Sequence, residues 1–186
     1  MSISQKQAAD ALSDVARVEQ RAAILRGYEH GAPHFILWGV VTAVGYVLSD
    51  WAPTRAPLAW MVVSLLGQIG SIQIARSAVA SGAVHGANRA AAYAACGATV
   101  VAFTAATYFV MGAHATAQFG AFPPLLMATG YTLVGIWRGA RWAVAGICLG
   151  VGTLAGFILF PAHFMLWMAA ICGGTLVLTG LWLRRV

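Results

Sequence analysis

The sequence predicts an all-α membrane protein, a bundle of six transmembrane helices (33–186) preceded by a cytoplasmic amphipathic helix and linker (1–32). Three observations carry this. Of 186 residues, 60% are hydrophobic and 9% are charged, against roughly 25% charged in a soluble domain, so the apolar excess needs a solvent other than water. Six apolar runs are each long enough to cross ~30 Å of hydrocarbon. The basic residues sit in short clusters between those runs and not on one face of a soluble fold. The runs also lack the alternation of barrel strands, and in lipid a helix satisfies its own backbone.

The first element is a helix over 4–26. Ser4 and Gln7 have the spacing of a capping box, in which each side chain bonds a free amide of the first turn. Asp10 and Asp14 come early while Arg17, Arg21 and Arg26 come late, which suits the helix dipole. Ala8, Ala11, Val15, Val18, Ala22 and Leu25 alternate at spacings of three and four, the seam of a coiled coil. A parallel homodimer would oppose Asp14 to Glu19 and Arg21 to Arg26, both like-charge pairs, so the seam suits an antiparallel copy or a different protein. The helix can equally lie on the membrane face with its arginines at the headgroups. Gly27, Gly31 and Pro33 predict a break before the first span.

The spans follow at 33–51, 58–75, 90–112, 118–137, 142–160 and 163–183. The third is dense in alanine from Ala90 to Ala106, which predicts a central place in a bundle held by close contact of small residues. Pro123 and Pro124 predict a bent or re-entrant lead-in at 116–122, because the helix from Pro123 to Trp137 is only about 22 Å long at 1.5 Å per residue. In the fifth span Gly146 and Gly150, then Gly152 and Gly156, form small-xxx-small pairs, available for internal packing or for a homo-oligomer. Trp51, Trp137, Trp142 and Trp182 mark run ends at headgroup level.

Lys6, Arg17, Arg21, Arg26, Arg76, Arg89, Arg138, Arg141, Arg184 and Arg185 all fall on one side of this topology, and Arg55 alone on the other. The excess of Lys and Arg marks the cytoplasmic side, so both ends are expected there. Alanine and arginine usage points to a bacterial inner membrane. No cleavable leader is evident, and the first span is expected to stay in the mature protein.

Catalytic patterns are missing: no paired carboxylates, nucleophile motif or phosphate loop. Cys96, Cys148 and Cys172 lie in apolar runs without metal or redox spacing, and no cofactor is implied. Of the five histidines, His30, His34 and His85 fall on the cytoplasmic side, and His114 and His163 on the other. None is mid-span, and they are weak metal candidates. With the arginines serving topology, nucleic acid is not an expected partner. Ser64, Gln68 and Ser71 share one face of the second span, where they bond a neighbouring helix or line a cavity.

Two functions fit these features. One is a non-catalytic accessory or regulatory subunit that meets a membrane or cytoplasmic protein through its N-terminal helix. The other is a small transport component holding an uncharged or amphipathic solute. In size and six-helix topology the chain resembles the substrate-binding subunits of energy-coupling-factor vitamin transporters, and that resemblance implies the second reading.

Overall fold

The structure is a computed structural model that describes residues 5–80, 99–100, 102–110 and 116–185, with side chains from Leu12 onward except at 16, 20, 78–80 and 116. All regular structure among them is helical. Helix α1 (Gln5–Trp51) leads through a 3₁₀ turn (Pro53–Arg55) into α2 (Ala56–Ala80). Residues 102–110 are helical and form α3. There follow α4 (Thr116–Arg138), α5 (Ala140–Leu159), a 3₁₀ turn (Pro161–His163), α6 (Phe164–Met168), a π-helical turn (Ala169–Gly173) and α7 (Gly174–Leu183). Five described stretches are long and apolar enough to cross a membrane: Leu12–Trp51, Pro53–Ser77, Ala117–Arg138, Ala140–Leu159 and Pro161–Leu183. The other expected span, 90–112, lies in large part outside the described residues, as does the Ser4 cap.

Two expected breaks are not there. The first concerns Gly27, Gly31 and Pro33, which lie inside one unbroken 47-residue α1. Proline inside a helix costs ~3 kcal/mol or more, since it removes a donor and crowds the carbonyl four residues back. Packing on both sides of Pro33 opposes that. Tyr28, Ala32 and Phe35 follow at i, i+4 and i+7 and are all buried. The Phe35 ring lies 4.9 Å from Tyr131 and 4.8 Å from Trp142, and such pairs contribute ~0.5–1.5 kcal/mol each beyond simple burial. A break would throw Tyr28 off the face that Phe35 occupies. Residues 5–32 and the first span are therefore one rod.

The second correction concerns Pro123 and Pro124, which lie within a continuous α4, with no re-entrant lead-in at 116–122. The two prolines leave the carbonyls of Phe119 and Gly120 without their intrahelical donors, a serious deficit where no water is at hand. Both are supplied from other helices. The Tyr108 hydroxyl of α3 donates to the Phe119 carbonyl at 2.6 Å. The Tyr46 hydroxyl of α1 donates to the Gly120 carbonyl at 2.6 Å. Tyr46 is buried and stands edge-on to Trp60, centroids 5.1 Å apart. Trp60 in turn donates to Ser49 Oγ at 2.9 Å, and that hydroxyl donates to the Gly45 carbonyl at 2.8 Å.

Close backbone approach sets the rest of the packing. A Cβ on Gly39 would sit 2.8 Å from the Val177 nitrogen and 2.9 Å from the Gly173 oxygen, and one on Gly180 would meet the Ala32 oxygen at 2.8 Å. These glycines bring α7 and the π turn directly onto α1. In α3, Phe109 is 89% and Val110 80% exposed, while the alanine-rich stretch expected to sit centrally lies in large part outside the described residues. The fifth-span glycines divide between two neighbours. Gly146 and Gly150 face Ala128 of α4, while Gly152 and Gly156 face Ile171 and Trp167. Both pairs serve packing within one chain. Of the tryptophans set back from the run ends, Trp38 donates to Ser71 Oγ at 3.1 Å and Trp167 to the Gly152 carbonyl at 2.8 Å.

Candidate interaction helix and its anchor

The N-terminal part of α1 carries the seam expected to dock a partner. Val15, Val18 and Leu25 are exposed, and Ala22 is half-buried. The backbone at Ala8 and Ala11 is helical, and their side chains are outside those described. Leu12, absent from the expected seam, is 70% exposed; it lies four residues after Ala8 and three before Val15, so it widens the apolar stripe. Asp14 and Arg17 pair at 3.5 Å on the flank of this stripe, both well exposed. Such a pair adds only ~0.2–0.5 kcal/mol to the helix, and the seam itself stays open.

Below the seam, α1 is clamped by the turn between α4 and α5 and by the end of α7. Gly139 forms that turn with φ of +110°, a conformation natural to glycine. The Tyr28 hydroxyl occupies the space where a Cβ on Gly139 would stand. Arg141 lies 5.3 Å from the Tyr28 ring centroid and 5.0 Å from that of Trp182. Its Nη1 donates to the Trp182 carbonyl at 2.8 Å, an oxygen at the end of α7 that the Arg185 backbone N–H also reaches at 3.3 Å. A cation between two aromatic faces contributes ~0.5–1 kcal/mol per face where exposed and more when desolvated. Composition predicted Arg141 as a topology marker; its position gives it a structural task that required knowing where Tyr28 and Trp182 lie.

The remaining expected residues are dispersed. His30 donates through Nδ1 to the Arg26 carbonyl at 2.6 Å, His34 is half-buried four residues on, and His163 is exposed at the opposite end of the bundle. His85 and His114 lie outside the described residues. Among the described residues no three His, Cys, Asp or Glu side chains gather in a way that could hold a metal ion. Ser71 bonds across to α1 through Trp38, Ser64 is half-buried, and Gln68 faces outward. Most hydroxyls in the spans donate to a carbonyl of their own helix, as Thr42, Thr132 and Thr153 do, which hides them from lipid without any partner helix.

Together these features define an all-helical protein with several helices able to cross a membrane and a first helix that extends past the bundle. Comparison of the chain with protein-family models, curated proteins and solved structures gives no match.

Proposed function

We propose that the chain is a non-catalytic accessory or regulatory subunit of a bacterial inner membrane, with six spans and both ends in the cytoplasm. Its N-terminal helix docks on a protein partner through Ala8, Ala11, Val15, Val18, Ala22 and Leu25. The observation that supports this reading is the continuity of α1 from Gln5 to Trp51. An apolar stripe exposed at one end belongs to the same rod that α2, α7 and the π turn grip along its other half. Force applied at Val15 or Val18 therefore reaches the Gly39–Gly173 contact without passing a hinge, as a regulatory subunit requires.

The test places a photo-cross-linking residue at Val15 in native membranes. One discrete protein adduct, absent when Leu25 or Val18 is replaced by Asp, is the expected result. Recovery of the same co-purifying proteins after deletion of Ser2 to Arg26 would overturn the proposal. The orientation is checked separately, with reporter tags on both ends expected to face the cytoplasm.

A further inference from the structure

We propose that the cleft between the N-terminal part of α1 and the α4–α5 turn binds the headgroup of an anionic phospholipid. Ala23, Ile24 and Gly27 form one wall and Trp137 with Arg138 the other of an open groove of about 300 Å³. A second hollow of about 280 Å³, lined by Arg21, Ile24 and Leu25, adjoins it at Ile24. The floor is apolar, and it is open at Gly27, where a Cβ would meet nothing within 4 Å.

The charge on the rim is of one sign. Arg21 and Arg138 are exposed, and neither hollow is lined by a carboxylate. Among the described residues the ion pair is that of Arg17 with Asp14, so these two guanidinium groups are not neutralised there. Arg141 is already committed to Tyr28 and Trp182. Arg21 borders one hollow and Arg138 the other, on either side of Ile24, and a guanidinium is the side chain best shaped to donate to phosphate oxygens.

The surroundings select a lipid over a free phosphate ester. Trp137 is 74% exposed beside Arg138, and Trp182 ends α7 on the same side of the bundle; indoles in such positions favour the headgroup level. Leu133 and Ile136, which precede Trp137 on α4, are exposed and give an acyl chain an apolar track leading away from the cleft. Basic pockets of this kind at helix ends recognise anionic headgroups. The second hollow shares Leu25 with the seam, whereas the cleft at Gly27 shares no residue with it.

The test uses the full-length protein in mild detergent, with native mass spectrometry of bound phosphatidylglycerol against phosphatidylcholine. The wild type is expected to retain phosphatidylglycerol preferentially. Each of Arg21→Gln and Arg138→Gln should weaken that preference about fivefold, and the pair about 30-fold, from the contribution of one basic residue near an anionic headgroup. Gly27→Leu, which fills the cleft without altering charge, should weaken it as well, while Arg55→Gln at the opposite end should leave it unchanged. Equal retention of both lipids would overturn the proposal. So would a Gly27→Leu variant that binds as the wild type does, or displacement of the lipid by equimolar glycerol phosphate.

Discussion

Replacing Tyr46 with Phe removes one oxygen and tests how α4 tolerates two consecutive prolines. The ring is 3% exposed and keeps its edge-on contact with Trp60 at 5.1 Å, so packing changes little. What is lost is the 2.6 Å bond to the Gly120 carbonyl. An acceptor left buried without a donor costs about 1–3 kcal/mol, whereas hydrogen bonds within membrane bundles average ~0.6 and reach ~1.7 kcal/mol. Because Pro124 removes the intrahelical alternative, Tyr46→Phe should lie at the upper end, about 1.5 kcal/mol. Pro124→Ala restores an amide four residues after Gly120 and should reduce the loss to under ~0.5 kcal/mol, a coupling of about 1 kcal/mol. The register is specific. Pro123→Ala, whose amide faces the Phe119 carbonyl, should couple to Tyr108→Phe and not to Tyr46→Phe. Reversible unfolding in mixed micelles with increasing dodecyl sulfate, followed by circular dichroism, measures all four corners of each cycle. An undiminished effect of Tyr46→Phe in the Pro124→Ala background, or stronger coupling to Pro123→Ala, would refute the reasoning.

Further outcomes follow from the packing. Gly139→Ala should destabilise by about 1–3 kcal/mol from backbone conformation alone, and Tyr28→Phe should recover part of this by removing the hydroxyl that meets the new methyl; thermal denaturation in detergent reads both. Gly39→Ala, which presses a methyl against α7 backbone, should cost about 1–3 kcal/mol. Gly27→Ala, with open space around it, should instead stabilise by ~0.4–1 kcal/mol, and the opposite signs are readable in one melting series. Trp38→Phe should lose ~0.5–1.5 kcal/mol with its bond to Ser71. The Trp142 N–H meets no acceptor among the described residues, so Trp142→Phe should lose no hydrogen bond, and the same micelle titration compares the two.

Much of the helical layout was legible in the sequence because lipid-crossing runs are long and nearly free of charge. The expected ends at residues 51, 137, 160 and 183 compare with helices ending at Trp51, Arg138, Leu159 and Leu183. Prolines misled, since their local rule speaks only of the donor they lack. Pro33 is held in helix by Tyr28 and Phe35 packing on the α4–α5 end of the bundle. Pro123 and Pro124 are tolerated because hydroxyls 11 and 74 residues away replace the missing amides. A usable signal was present all the same: two freed carbonyls in an apolar run demand two outside donors, and Tyr46 and Tyr108 both sit within spans. The π turn at Ala169–Gly173 left no such trace, and its register depends on Gly173 meeting Ala43 and Gly39 of α1. Of the interaction helix, the seam was readable from spacing, but its rigid connection to the bundle was not, because that rests on Arg141, Tyr28 and Trp182 converging from three parts of the chain.

The most direct test of the account is a distance along α1. Spin labels at Val18 and Val40, both exposed, are introduced after Cys96, Cys148 and Cys172 are replaced, and their separation is measured by double electron–electron resonance. Twenty-two residues of unbroken helix at 1.5 Å each give about 33 Å, and a single narrow distribution near that value is the predicted result. A broad distribution, or one centred well below it, would place a hinge between the seam and the bundle and contradict the account.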